Sequence, residues 1–534
     1  MRVASVSLKA AFIAVLHLNY VAAAGDSSLY TALLDVADSL GETQPQSDIS
    51  PVVELAKKNK DKLDQVSAHG ETDAVTACDV FATLFPGKYA DQSSGDYTAE
   101  VERPISGTCW LKSTCFFEAH TTSDVAFGLK IVTTLGTKFA TRSGGHQQNV
   151  GFSSIEDGVV LDLSRLTSSS LSEDHKTVRL GTGNRWGEVY NRLEEYGLGA
   201  VGGRSGDVGV GGLILGVGIP FFSSKYGFAC DNVQQFEVVL ANSTVVNATA
   251  NSHPDLFKAL KGGGPNYGIV THFTLYTIPT DIWYHVAQYN ESDYKQVLSA
   301  IVATQAKMED DSNAGVLFSG SNGTMMVGML YAEPTENPPV FSAFDSLKPI
   351  RTLAPPTIGT IAKLVDFFTA NSPTARYLSF ATSYETDLDL YKSAYGSFIS
   401  RQHFTSPTKG ALQYGIQTIT KAAVQAGQKR GGNWLGMKPV STNWWHVVAA
   451  WFDEKDDKAA LEASTGMMKN MTNLATDAGK YLDFQFQNDA DVSQSPLKSY
   501  GEENFKKFAA VAASYDPQQV FQKLQNSGFK ISKA

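Results

Sequence analysis

Residues 200–218, "AVGGRSGDVGVGGLILGVG", carry eight glycines. A regular helix or strand tolerates that density poorly, because each interior glycine costs roughly 0.5–1 kcal/mol against alanine. Backbone this bare suits close approach to something else. Two further stretches share the character: "LKGGGPNYGIVTHFTL" (260–275) and "FATRSGGHQQNVGFSS" (139–154). In the latter, Gly144 and Gly145 lift His146 off the end of a short strand, with positive φ open to both glycines. Consecutive N–H groups in such loops form nests that bind pyrophosphate without a basic side chain. The common fingerprints are nonetheless missing. Gly209-Val210-Gly211 would need glycine at 214, where Ile214 stands, so GxGxxG fails. GxxxxGK[ST], HExxH and GxSxG are absent too, and no His/Cys/carboxylate group has metal-ligand spacing, so no metal is expected.

Around these loops the pattern is mixed. "SDVAFGLKIVTTLG" has a Ser/Asp start, helical spacing and a glycine stop. "TKFATR", "GVVLDLSRL" and "KTVRLGTG" read as short strands. Trp186, Val189, Tyr190 and Leu193 recur at helical spacing before Gly197. "FEVVLANSTVV" reads as paired strands and "GIVTHFTLYTI" (268–278) as one more. Strands alternating with helices mean an α/β or α+β domain over 76–278, and 279–475 reads as a second domain of strands backed by helices. A compact tail (476–534) follows, with Phe505, Phe508 and Val511 at helical spacing. Residues 25–75 read as a polar helical leader, a solvated arm containing "AKKNKDKLDQ".

A chain of 534 residues is too long for one ordinary core. Net charge of −10 with no basic run argues against nucleic-acid binding. Arg2 and Lys9, a short apolar run, and Ala22 and Ala24 at the −3 and −1 positions predict a signal peptide over 1–24. The secretory pathway and secretion are therefore expected, with no membrane span. In that compartment Cys78 can bridge to Cys109 or Cys115, whereas Cys230 reads as a buried free thiol. Asn242, Asn247, Asn290, Asn322 and Asn470 are glycosylation sequons.

Several motifs in one order give the chain its resemblance to a family. They are "RSGGH", "GVVLDLSRL", "VGVGGLILGVG" followed by "KYGFACDNV", "HPDLFKALKGGGPNYGIVTHFTL", and the terminal "PLKSYGEENF" with "YDPQQVFQKLQNSGFKI". Over about 75–278 and 480–532 the chain resembles the secreted fungal, berberine-bridge-enzyme-like branch of the vanillyl-alcohol-oxidase or PCMH-type FAD superfamily. The resemblance implies an α+β fold, with a two-subdomain FAD-binding domain and a substrate domain whose antiparallel sheet is backed by helices, and with His146 bonded to the 8α-methyl of FAD. Arg142, Ser143, Gly144, Gly145, Gln147 and Gly151 would then wrap the pyrophosphate and flavin edge. Val208, Gly209, Gly211, Gly212, Gly216 and Gly218 would pass close to the flavin and diphosphate, with Asp231 and Asn232 just beyond. Gly268, Ile269 and Val270 would face the adenine. Many relatives add a cysteinyl bond three residues before the "VGVGG" valine; Ser205 stands there, so a single histidyl link is implied.

The implied reaction is hydride transfer from a small organic substrate, a secondary-metabolite intermediate, to FAD, with dioxygen regenerating the flavin and releasing hydrogen peroxide. A secreted oligosaccharide oxidase, or a cyclase or dehydrogenase that does not use dioxygen, are the alternatives. Asn488 and Tyr500 are the catalytic candidates. Where relatives carry the tyrosine of a "YxN" motif, this chain has Phe486-Gln487-Asn488, so the phenol is missing. Asp489, Asp491, Tyr500 or a carboxylate of the second domain could replace it as base. Expected partners are the substrate and dioxygen, and the chain is expected to be a monomer.

Overall fold

The "TKFATR" strand forms at Phe139–Arg142 and pairs in parallel with Val159–Asp162. All four residues of Val159–Asp162 are buried, as a central parallel strand covered on both faces requires. Cys115–Glu118 pairs in parallel on its other side, and Tyr89–Asp91 closes the edge antiparallel. The helix Thr122–Thr134 covers this sheet. Its N-terminus is fixed by a capping box in which Thr121 and Asp124 satisfy each other's backbone N–H groups. The computed structural model describes residues 28–66, 74–369, 375–402 and 410–534, so the expected signal peptide lies outside the described residues.

The leader is helical, over Leu29–Thr43, Ser50–Lys58 and Lys60–Val66, but it is not a solvated arm. Leu29, Leu33, Val36 and Leu40 recur at helical spacing and are buried against the same core as Phe127 and Leu129. The charged residues occupy the outer faces, while Ala56 and Leu63 point inward. Cys78 pairs with Cys115, tying the helix Ala74–Leu84 to the parallel sheet; Cys109 and Cys230 are free and buried.

A second sheet runs in the order Ser169–Leu171, Thr177–Gly181, Ile269–Pro279, Val233–Val239, Val245–Thr249, with Leu198–Ala200 pairing the far end of Ile269–Pro279. After the single linking residue Thr280, the chain enters an eight-stranded antiparallel sheet. Its order is Arg351–Thr360, Asp281–Asn290, Thr324–Tyr331, Ala314–Ser321, Ala411–Ile419, Thr442–Trp451, Arg376–Glu385, Tyr481–Leu482. The helices Tyr294–Lys307, Leu388–Ile399 and Asp457–Asp477 pack on one face through a core that includes Trp445, Val447 and Trp451. The opposite face turns toward the glycine-rich loops.

The tail returns to the first sheet. Phe139 N–H donates to Leu524 O, and Asn526 N–H donates to Phe139 O, so residues 524–526 run alongside the Phe139–Arg142 edge. Among the described residues no helix is long and apolar enough to cross a membrane, and no group of His, Cys, Asp and Glu could hold a metal ion.

Candidate active site

A cavity of about 550 Å³ lies between the two glycine-lined sheets and the bare face of the eight-stranded sheet. One wall is the loop after Phe139–Arg142. Gly145 adopts φ +68°, the left-handed conformation that glycine takes without strain, and this turn carries His146 to the cavity. Gly144 has ordinary φ and is needed for another reason. A Cβ there would stand 2.6 Å from both Cα and N of Gly209, and one at Gly209 would meet Gly144 at the same distance. The loops 139–154 and 200–218 therefore cross backbone on backbone.

Arg185 pins the crossing. Its guanidinium donates to Gly144 O at 2.9 Å and to Asp207 O. Asp207 then comes to lie with Oδ2 3.4 Å from His146 Nε2. Ser205 Oγ donates to Asp207 Oδ1 at 2.6 Å. Burial opposes ionisation of this carboxyl, but His146 and Ser205 prevail and hold its pKa down to about 2. On the far side, the Cys109 thiol lies 3.3 Å from Gln148 O, and Asn149 Nδ2 donates to Ala490 O at 2.9 Å. The histidine loop is thus held from both ends.

Of the expected cofactor residues, Ser143, Gly144, Gly145, His146, Gln147, Ser205, Val208, Gly209, Gly211, Gly212, Gly216, Gly268, Ile269, Val270 and Asn488 line the cavity. Asn488 spans the 200–218 loop: Nδ2 donates to Gly212 O at 3.1 Å and Oδ1 accepts from Gly218 N at 3.0 Å. Residues 210–215 of that loop form a short helix rather than a turn, because Val210 and Ile214 find apolar cover on one side.

Other residues take different parts. Arg142 reaches the wall, but its guanidinium points away, fully buried, donating to Asp162 Oδ2 at 2.6 Å and to Glu100. Its charge is spent inside the fold and cannot wrap a pyrophosphate. Gly151, Gly218, Asp231 and Asn232 do not line the cavity. Asp231 accepts from Phe228 N and Asn433 Nδ2, and Asn232 Nδ2 donates to Tyr226 O and Phe228 O. Tyr500 is also off the cavity, 1% exposed and stacked on Phe484, with its hydroxyl donating to Gln487. Burial pushes its pKa far up, and its hydroxyl faces Gln487 rather than the cavity. Phe486, standing where relatives carry the tyrosine, lines the cavity and stacks on Trp444. Asp491 is buried and bonded to Ser493 in its own turn.

Sequence reasoning named Asp489, which lines the cavity, but missed the polar cluster it joins on the opposite wall. Arg204, Gln417, His446 and Asp489 meet there. Arg204 Nη2 donates to Gln417 Oε1 at 3.0 Å, Gln417 Nε2 donates to Asp489 Oδ2 at 2.7 Å, and the same Nε2 lies 3.0 Å from His446 Nδ1. The available signal was period-two alternation. In "ALQYGIQTI", Gln413, Gly415 and Gln417 alternate with apolar residues, and His446 interrupts the apolar run 444–451.

A family model described as an FAD binding domain matches residues 113–249, the stretch that holds the histidine loop, its crossing partner and the second sheet's first hairpin. An FAD-dependent monooxygenase from Arthrobotrys oligospora is 37% identical over 456 residues, covering 85% of this chain and 89% of that protein. The chain belongs to this family of FAD-linked oxidoreductases. A second FAD-dependent monooxygenase, from Aspergillus niger, is 34% identical over 83% of this chain and 77% of its own length. The bifunctional solanapyrone synthase of Alternaria solani is 31% identical over 84% and 87%. Among solved structures, the BBE-like 1 protein of Physcomitrella patens superposes with TM-score 0.70 at 19% identity, covering 84% of this chain and 97% of that one. A xylooligosaccharide oxidase from Myceliophthora thermophila gives 0.70 at 17% identity, covering 85% and 99%. These two likenesses concern the fold. The oxidoreductase's cavity suits the cofactor of its family: its floor is backbone, its loops are kept bare by the crossing, and an imidazole with a carboxylate partner stands at its edge.

Proposed function

We propose that the chain carries FAD through a single covalent bond from His146 and oxidises a small organic substrate, with dioxygen as the terminal acceptor. The carrying observation is His146 itself, set on the Gly145 turn at the wall of the cavity and paired with Asp207 at 3.4 Å. FAD, when bound, supplies a hydride acceptor whose electrons dioxygen can remove.

The chain's own residues prepare the site. Asp207 faces Nε2, leaving Nδ1 of His146 without a partner among the described residues, so Nδ1 is the attachment atom in this reading. With FAD attached, the Asp207 carboxylate beside Nε2 would offset positive charge on the imidazole, and before attachment it orients the ring with Nδ1 free to face the cofactor. A second, cysteinyl bond is not part of the proposal, because Ser205 spends its hydroxyl on Asp207 and no cysteine among the described residues lines the cavity. Ser143 Oγ donates to Thr182 O, and Asn488 braces the Gly212–Gly218 backbone, so both walls of the trough are rigid before cofactor arrives. Leu317, Met326 and Ile416 from the eight-stranded sheet face that trough, which supports a substrate with an apolar body.

A secretory route is part of the same reading. It is supported by the Cys78–Cys115 disulfide and by four exposed sequons, Asn242, Asn247, Asn290 and Asn322. Asn470 differs, since its Nδ2 donates to Ser397 Oγ at 2.8 Å and would have to release it to carry a glycan. The test is acid precipitation of the purified chain. Yellow colour should stay with the pellet, His146→Ala should lose it, and substrate turnover should release peroxide. A colourless pellet from the parent chain overturns the covalent link, and turnover without peroxide overturns the role of dioxygen.

A further inference from the structure

The cluster on the eight-stranded sheet has hydrogen-bonding roles that can be assigned one by one. Arg204 holds only donors, so the Gln417 atom it meets at 3.0 Å is the carbonyl oxygen. Asp489 as a carboxylate only accepts, so the atom it meets at 2.7 Å is the amide nitrogen. Both ends agree, and the amide cannot be flipped. Its second N–H then faces His446 Nδ1 at 3.0 Å. A proton on Nδ1 would set donor against donor at that distance. Nδ1 is therefore the bare nitrogen, and neutral His446 carries its proton on Nε2. Asp489 Oδ2 also lies 3.5 Å from Nδ1, but the Gln417 amide group bridges the two.

The other side of the ring is bare. Gly415 lies beneath it: a Cβ there would fall 2.0 Å from Cε1 and 2.2 Å from Nε2. No described residue takes a hydrogen bond from Nε2, and only Gln417 takes one from the Arg204 guanidinium. Both residues line the cavity. Burial, helped by Arg204 and opposed by Asp489, keeps the imidazole neutral.

We infer that His446 Nε2–H and the Arg204 guanidinium form a two-donor site for an oxyanion on an apolar substrate body, and that Gln417 is the positioning residue that fixes the donor tautomer of His446. His446 then stabilises negative charge on substrate oxygen; it does not take up the substrate's proton at Nε2. The inference rests on the flavoprotein reading for the identity of the neighbouring cavity. Two oxygen chemistries fit, a phenolate and a carboxylate, each with an aromatic or aliphatic body against Leu317, Met326 and Ile416.

The test uses the full-length holoenzyme, with 4-nitrophenolate and benzoate as probes and nitrobenzene as the uncharged control, each titrated against the flavin absorbance. At least one anion should bind at least tenfold tighter than nitrobenzene, since a hydrogen bond to a charged group is worth about a factor of ten or more. Which anion binds separates phenol from carboxylate substrates. His446→Leu should weaken that anion about tenfold without changing flavin content or nitrobenzene affinity, and His446→Gln, which keeps an N–H, should restore most of the loss. Gln417→Glu, whose carboxylate requires a proton on Nδ1, should weaken the anion like His446→Leu. In ¹⁵N-histidine spectra assigned by difference with His446→Gln, the parent should show Nδ1 bare and Nε2 protonated, and Gln417→Glu should move the proton to Nδ1. A protonated Nδ1 in the parent, or no preference for either anion, overturns the inference while leaving a flavin-loaded chain intact. A parent chain that carries no flavin overturns the underlying reading instead.

Discussion

Adding one methyl group at Gly209 probes the crossing on which the site depends. The residue has φ −75° and ψ 147°, so alanine suffers no backbone strain there. The cost is entirely steric. Its Cβ would stand 2.6 Å from Cα and N of Gly144, where ordinary contact begins at 3.4 Å, so the loops must part by about 0.8 Å, the difference of those two distances. Neither contact is a flexible side chain that could swing away. Overpacking of this kind costs about 1–3 kcal/mol. Arg185 ties Gly144 O to Asp207 O across the same crossing, so the movement passes to Asp207, two residues before Gly209, and to His146, two residues after Gly144. Gly209→Ala should lower the melting temperature by a few degrees and reduce acid-stable flavin per chain. Differential scanning calorimetry and the absorbance of the acid-precipitated protein read the two effects. A Gly209→Ala chain that melts with the parent and carries full covalent flavin would refute the packing argument.

Other expectations follow from the same contacts. Asp207→Asn should reduce flavin attachment. In the parent, the support that the Asp207 carboxylate gives is complete above its ordinary value of 3.8 and lost as pH falls through about 2, so the variant's attachment should lack that acid limb. Cys115→Ser opens the link to Cys78 and should cost about 2–4 kcal/mol in denaturant unfolding. Glu237 is buried and contacts His272 Nδ1 at 2.8 Å, Thr122 at 2.6 Å, Thr271 at 2.7 Å and Arg179 at 2.9 Å. Burial raises its pKa, but these partners prevail and hold it well below the usual range. Glu237→Gln should therefore cost about 3 kcal/mol near neutral pH, and that difference should shrink in strong acid, where the parent carboxylate is also protonated.

The glycine-rich loops and their strands were legible because glycine and short apolar runs report local backbone demands. His146 stood out for the same reason: its pedestal is local. What could not be read locally was which glycine serves which purpose. Gly145 turns the chain, whereas Gly144 makes room for a loop some sixty residues away in sequence, a fact about tertiary approach. Arg142 misled because its position beside the loop says nothing of Asp162 and Glu100 behind it. The leader misled in another way. Its charges dominate the composition, while the buried stripe of Leu29, Leu33, Val36 and Leu40 needs the Thr122–Thr134 helix to have a purpose. The Arg204–Gln417–His446–Asp489 cluster draws on residues from four separate segments; Asp489 is legible as a carboxylate beside Asn488, but nothing local joins it to the other three.

Peptide mapping of the purified full-length chain by mass spectrometry tests the central claim most directly. The peptide containing "SGGHQQ" should carry the mass of FAD on His146, with no flavin on any cysteine-containing peptide. An unmodified His146 peptide from a yellow protein, or flavin mapped to another residue, would contradict it.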